Sequence, residues 1–244
     1  VGRITSGSQE LMEDAAALVD CHLPRSLFVV VSIFNRLEAL NLPPQKTLFL
    51  RTLLIQILDK ANCLWPEEHD DFRPLVLTVP TRFREFNLWQ KLRDAAKYPV
   101  TIHPRVLIKH YPELPSSGAI CIYPGRVKDL LSASDQTYSH IVTAIPRPNQ
   151  AFWKLSAAWS AWLMDRDESR KFINMIIRDR YDWTWHSKAI TSVFHQLAVS
   201  RKITGSISAV LADVEPAFLA SILPSSQKGG WKLSEFSLRE EDGI

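Results

Sequence analysis

The sequence predicts an α/β fold, a helical region followed by a layered region in which short strands alternate with helices. Three observations predict it. Apolar residues recur at intervals of three and four over most of the first third. Short β-branched runs bounded by Pro and Gly punctuate the remainder. From His140 onward the order is strand, helix, strand, helix, strand, with connections long enough to return the strands parallel. The 244 residues, 46% apolar and 23% charged, suffice for one full-sized domain or two small ones. The expected division is a helical hairpin region over 1–64 and an α/β region over 65–244.

In order, Leu11 to Val19 reads as a short Ala-rich helix, and Ser26 as the cap of a helix from Leu27 to Leu40 carrying Val30, Phe34 and Leu37 on one face. Asn41-Leu42-Pro43-Pro44 ends it, and Gln45 to Ala61 forms the return helix, burying Leu50, Leu54, Ile57 and Leu58. A charged loop from Pro66 to Asp71 leads to a strand at Leu75 to Val79 and a helix over Arg82 to Ala96 that carries Arg82, Arg84, Lys91 and Arg93. Val106 to Ile108, Ala119 to Tyr123 and His140 to Ile145 read as strands. Phe152, Leu155, Trp159, Trp162 and Leu163 mark one helix face, Phe172, Ile173, Ile176 and Ile177 a second, and Ile190, Val193, Phe194 and Leu197 a third. Ser206 to Leu211 reads as a buried strand, Glu215 to Leu223 as a helix and Trp231 to Leu238 as an alternating final strand.

Several classes are excluded or disfavoured by composition. No apolar run reaches the roughly 18 residues of a membrane span, so no membrane partner is expected. Residues 1–10 lack the apolar stretch of a secretory signal, and Cys21, Cys63 and Cys121 stand too far apart for a disulfide framework. A reducing, cytoplasmic location is the expectation. Eight glycines without a single Gly-x-Gly leave no Walker loop or dinucleotide fingerprint. His186 and His195 lack a Cys or carboxylate at ligand spacing, so no metal site is expected, and His103 and His110 have no nucleophile elbow to serve. The net charge of +3 does not decide for or against nucleic acid.

The strongest local feature is the run Ile141 to Trp153, in which a β-branched strand stops at Pro146-Arg147-Pro148-Asn149 and is followed by Phe152 and Trp153. Such a loop can hold a planar ligand by stacking while an amide and backbone carbonyls read its edge. Equally, the prolines can simply end the strand and the aromatics begin a core helix. A second run, Arg178 and Arg180 followed by Tyr181-Asp182-Trp183-Thr184-Trp185-His186, interleaves basic and aromatic residues as single-stranded or flipped bases require. Its structural alternative has Asp182 capping a helix whose Trp183 packs inward. Arg166, Arg170, Lys171, Arg178 and Arg180 can form either a phosphate-binding stripe or a solvated helix face.

The segment IVTAIPRPNQAFWKLSAAWSAWLM (141–164) resembles that of amino-group DNA methyltransferases, in which a strand ends in Asp-Pro-Pro-Tyr before an aromatic-rich helix. Arg201 to Leu211 is similar to the turn and fifth strand of the class I methyltransferase sheet, Trp231 to Leu238 to its last strand, and IYPGRVKDLL (122–131) to the segment presenting a Gly-Asp pair. The likeness covers Ala119 to Glu240. It implies a partial class I methyltransferase (Rossmann-like) sheet, S-adenosylmethionine as cofactor, and DNA as the partner. It places the family's acidic position on Ala144, its prolines on Ile145 and Pro146, and its aromatic on Arg147, with Asn149 as a substitute acceptor. By the same likeness Gly125, Arg126 and Asp129 border the cofactor, and Phe152 and Trp153 line the substrate side; Arg178, Arg180 and Tyr181 join the substrate side by their basic and aromatic interleaving. Ala144 supplies no acceptor for a target amino group, and no glycine-rich cofactor loop is present. Two functions therefore stand: a DNA methyltransferase-like protein completed by a cofactor-binding N-terminal half or subunit, or a degenerate scaffold subunit of a nucleic-acid-modifying complex.

Overall fold

The computed structural model describes residues 9–67, 73–101, 107–114, 118–164, 166–178, 180–211 and 214–238. The fold is mixed α/β, with two parallel two-stranded sheets among the described residues. The chain divides into two compact units, each built from two stretches of sequence. Unit 1 comprises Val1–Pro104 and Asn149–Arg180, and unit 2 comprises Arg105–Pro148 and Tyr181–Ile244. The boundary expected between 64 and 65 is therefore replaced by three crossings. The aromatic helix after residue 149 buries its face among the first helices, and a sequence pattern shows that a face is apolar without showing what it packs against.

Unit 1 is helical. Helix α1 (Gln9–Asp20) is followed by α2 (Pro24–Ala39) and α3 (Pro44–Leu58), both of which open on a proline at the first turn, where the missing N–H costs nothing. Ser26 is buried inside the first turn of α2, whose N-cap is Leu23, so the expected serine cap does not form. Asn41 turns the chain between α2 and α3 with φ of 50°, a conformation its short polar side chain tolerates. The buried face of α3 is Leu53, Leu54, Ile57 and Leu58, with Leu50 half-buried at its edge. The strand expected at Leu75 to Val79 is irregular: the Leu75 carbonyl accepts from Ala151 N–H rather than from a neighbouring strand. The helix expected from Arg82 begins instead at Leu88 (α4, Leu88–Thr101). Residues before it are held by tertiary bonds, Arg84 N–H donating to the Trp65 carbonyl at 2.8 Å and Phe83 bridging Pro66. Helices α6 (Gln150–Leu163) and α7 (Arg166–Ile176) complete the unit, and Val30, Phe34, Leu54, Leu58, Leu155, Trp159, Leu163 and Ile176 share one core.

Unit 2 carries the strands. β1 (Ile108–His110) pairs in parallel with β2 (Ile120–Ile122), and α5 (Val127–Ala133) follows. Of the strand expected over Val106 to Ile108, residue 106 lies outside the described residues. β3 (Tyr138–Ala144) pairs in parallel with β4 (Ile203–Val210), from Tyr138 opposite Ile203 to Ala144 opposite Val210. Gly205 is required where the register shifts, because a Cβ there would sit 1.6 Å from the Ser139 carbonyl oxygen. α8 (Trp183–Val199) and α9 (Pro216–Lys228) pack together, and Ile145, Phe194, Phe218 and Ile222 form the buried centre. Two expectations fail here. β4 is not a buried strand, since most of its side chains are exposed. Trp231 to Leu238 is not a strand: Trp231 turns its Nε1–H to the Phe194 carbonyl, and the alternating residues beyond it pair with no strand among the described residues. Among the described residues no helix is long and apolar enough to cross a membrane.

Candidate functional site

The resemblance-derived site begins where β3 ends. Ala144 is exposed and carries only a methyl group. Ile145 continues the ladder by donating its N–H to the Val210 carbonyl at 3.2 Å and sends its side chain into the core beside Phe218. The exposed Pro146 presents its carbonyl to His186 Nε2 at 2.8 Å. A carbonyl only accepts, so Nε2 carries the proton and donates. The other ring nitrogen, Nδ1, lies 2.9 Å from the Ser221 Oγ, whose single proton goes to the Phe218 carbonyl at 2.7 Å. His186 is buried, and burial pushes its pKa below the ordinary imidazole value against the opposing pull of the Pro146 bond. The ring is thus a neutral strut between the strand-end loop and α9.

Arg147 is anchored as firmly. Its guanidinium donates to the Glu215 carboxylate and lies 5.5 Å from the centre of the Trp183 ring. Burial pushes its pKa downward, but an arginine remains charged in any case. Glu215 is the N-cap residue of α9 and uses its carboxylate for this ion pair rather than for capping. Unit 2 ends its first stretch at Pro148.

Asn149, the first residue of unit 1's second stretch, is the N-cap of α6. Its Oδ1 accepts from Phe152 N–H at 2.7 Å, and the residue is buried. The amide expected to serve as a substitute acceptor for substrate is committed to the helix. Phe152 and Trp153 meet edge to face with ring centres 5.1 Å apart, and the Arg73 guanidinium sits 4.3 Å over the Phe152 ring. That face of Phe152 is covered by a cation of its own chain.

The expected cofactor residues lie on the turn after β2 and the first turn of α5. Gly125, Arg126 and Asp129 are all exposed. The space beside Gly125 is filled by the Tyr123 ring, which a Cβ would approach to 2.5 Å, and Arg126 and Asp129 flank the start of a seven-residue helix. Two exposed side chains and a glycine around a filled turn do not make a cradle for an adenosine and a methionyl sulfonium. The residues present do not fit S-adenosylmethionine.

No family model matches the chain, and neither does any curated protein or solved structure.

The remaining sequence-derived residues separate between the units. Arg178 and Arg180 are exposed at the end of unit 1, whereas Tyr181 opens the second stretch of unit 2 with its ring 5.3 Å from Trp185. Asp182 caps α8, its Oδ1 accepting from Trp185 N–H at 2.7 Å, and Trp183 packs against Phe218 at 5.9 Å, so the structural alternative for this run is the one observed. In the basic stripe, the side chains of Arg166 and Lys171 lie outside the described residues, as does His103. Among the described residues no cluster of His, Cys, Asp and Glu could hold a metal ion.

The sequence pattern offers His186 as the end of an aromatic run and as a metal-ligand candidate, and does not mark it as the anchor of the loop. The available signal was its position in the first turn of a helix capped by Asp182, with Ser221 on the next helix. Chemically, the strand-end loop offers an exposed methyl, an exposed proline ring and a carbonyl with one lone pair already taken. Its charged and amide side chains are bound to their own fold.

Proposed function

We propose that the chain is a methyltransferase-like scaffold subunit of a nucleic-acid-modifying complex, in which the strand-end loop maintains structure and does not transfer a methyl group. One observation carries this reading. At the place where amino methylation needs acceptors for the target nitrogen, Ala144 has none, and Pro146, Arg147 and Asn149 are engaged by His186, Glu215 and Phe152 N–H respectively. The cofactor belongs, on this reading, to a complementary subunit.

A second reading is that the chain supplies the substrate side of an active DNA methyltransferase whose cofactor-binding half is another subunit. It is favoured by the β3–β4 pair, two parallel strands with Val142 and Val210 left 74% and 65% exposed. Parallel sheets are ordinarily covered on both faces, so a further element that completes this one is physically reasonable.

The test combines calorimetry with an activity assay. Titration of S-adenosylmethionine into the chain is expected to give no saturable heat, and tight stoichiometric binding would overturn the fit argument. Incubation with labelled S-adenosylmethionine and an oligonucleotide is expected to leave the oligonucleotide unlabelled, for both the wild type and Ala144→Asp. Repeating the assay with a cofactor-binding methyltransferase subunit added separates the readings: labelling by Ala144→Asp in that mixture would favour the second reading over the first, whereas labelling without it would overturn both.

A further inference from the structure

Within unit 1, helices α1, α2 and α6 surround a cavity of about 200 Å³. Its floor is Ala15 and Leu18 of α1 with Ala158 and Trp159 of α6, all four buried. Its rim is Val19, Leu27, Val31 and Trp162, each half-buried. The sequence explains the space. Two of the four floor positions are alanine, and each brings only a methyl group to it.

The aromatic part of the wall is fixed in place. The Trp159 ring meets His22 at 4.8 Å and 81° and Trp162 at 5.4 Å and 63°, and Trp162 in turn lies 5.5 Å from Phe34. Protein interiors leave few voids larger than a water molecule, so a space of this size bounded by locked rings is a shaped pocket. Small-molecule sites commonly take this form, an apolar cleft between helices with one or two polar groups in its wall.

The chemistry of the wall selects the occupant. Its eight side chains carry no charge and no hydrogen-bond acceptor, and their only polar atoms are two indole N–H groups, which donate. Trp159 Nε1 is buried and has no hydrogen-bond partner among the described residues. A charged ligand would therefore enter unpaired, and a ligand N–H would meet no side-chain acceptor.

We propose that this cavity binds a small, neutral, largely hydrocarbon molecule that can carry a hydrogen-bond acceptor but no donor. A cavity of roughly 150 Å³ holds benzene, so this one admits a ring with a short substituent, about nine non-hydrogen atoms. The inference does not rest on the methyltransferase-like reading, and its failure would leave that reading untouched.

Calorimetric titration of the full chain with acetophenone, benzamide and benzoate tests it, since the three have the same size and differ in polarity. Acetophenone is expected to bind saturably at one site per chain. Benzamide, which brings unmatched N–H donors, and benzoate, which brings an unpaired charge, should each bind at least about tenfold more weakly. Ala15→Leu enlarges a floor residue and should weaken acetophenone binding by at least about tenfold, with the circular dichroism of the fold retained. Ala158→Leu reads the same effect from α6 should Ala15→Leu unfold. Ala16→Leu, at an exposed position of α1 outside the wall, should leave binding unchanged. The proposal is overturned if acetophenone does not saturate, if benzamide or benzoate binds as tightly, or if Ala16→Leu weakens binding as much as Ala15→Leu. It is equally overturned if sedimentation shows a dimer that Ala15→Leu or Ala158→Leu dissociates, because a second copy of the chain would then be the occupant.

Discussion

Unit 1 and unit 2 bury themselves to very different degrees. The main cluster of unit 1 contains nineteen buried apolar residues among the described ones, that of unit 2 only four. In unit 1, Val30, Ile57, Leu58, Leu163 and Ile176 are essentially removed from solvent. Unit 2 leaves β-branched residues of both sheets in water, Ile108, Ile120 and Ile122 in one and Val142 and Val210 in the other. Helices satisfy their backbone bonds internally and need only one apolar stripe covered, which neighbouring helices accomplish. Two parallel strands satisfy only their shared edge, and a two-stranded sheet is marginal by itself. The contrast teaches that, among the described residues, unit 1 closes the larger core even though Phe28 and Leu40 stay 73% and 62% exposed, while the strands of unit 2 leave theirs largely open.

The largest effect that tests this contrast is a pair of truncations. Leu58→Ala removes a side chain with 0% exposure from the centre of unit 1. The expected loss is about 2–5 kcal/mol, from lost transfer energy plus the cavity left behind. Val142→Ala removes a side chain on the open face of β3 and should change stability by no more than about 0.5 kcal/mol. Urea unfolding followed by circular dichroism measures both. Comparable losses would mean that β3 is covered after all, and the contrast would fail.

Next in size is a pH effect confined to unit 1. His22 is buried, donates from Nδ1 to the Leu18 carbonyl at 2.9 Å, and meets Trp159 edge to face. Among the described residues its Nε2 has no hydrogen-bond partner. Burial lowers its pKa from 6.5 to about 4, outweighing the bonds to the Leu18 and Val19 backbone. The folded pKa lies below the unfolded one, so on acidification the unfolded chain takes the proton first. Stability is therefore full above pH 6.5 and falls as pH drops toward about 4, by about 3 kcal/mol from this residue. Urea midpoints across that range should show the slope in wild type, and His22→Phe should flatten it. An unchanged slope in His22→Phe would assign the pH dependence to other groups.

In unit 2 the corresponding buried histidine has a polar neighbour at each ring nitrogen, and Ser221 is the sharper target. Ser221→Ala removes the hydroxyl that lies between His186 Nδ1 and the Phe218 carbonyl and leaves buried polar atoms without it, at an expected cost of about 1–3 kcal/mol. The loss should be accompanied by faster hydrogen exchange in the peptide spanning Ile145 to Pro148, because Pro146 is held by the same ring. Equal acceleration in α2 and α3 would show that the two units do not respond separately.

Legibility in the sequence followed the same division. The faces of α2, α3 and α6 were readable because helical periodicity reports one-sided burial directly, through Val30, Phe34 and Leu37 or Leu155 and Trp159. The strands expected at Leu75 to Val79 and Trp231 to Leu238 have suitable residues, but a strand exists only with a partner, and partnership is a long-range property. Instead Leu75 bonds Ala151, and Trp231 bonds Phe194. The start of α4 was misplaced because Arg82 to Asn87 have helix-compatible side chains yet are tied to Trp65 and Pro66. At the candidate site the missing acceptor at Ala144 was visible, and so was the Asp182 cap. For His186 the sequence shows only a place in the first turn of a capped helix, because its bond to Pro146 spans 40 residues.

The smallest effect examines the junction between the two units. Asn149 is the first residue of unit 1's second stretch and caps α6 by accepting from Phe152 N–H. Asn149→Ala deletes that acceptor and should cost about 1 kcal/mol, whereas Asn149→Asp keeps an oxygen in place and adds a charge favourable to the helix N-terminus. The alanine variant should therefore shift the unfolding midpoint downward and the aspartate variant should hold it. Hydrogen exchange locates the loss. It should accelerate in the first turn of α6 and leave β3, which ends only at Ala144, at the wild-type rate. If β3 accelerates with α6, the Pro146-Arg147-Pro148 loop transmits the loss, and the four residues between strand and cap act as a rigid coupling. If only α6 responds, the bonds of His186 and Glu215 hold that loop independently, as a scaffold role for it requires.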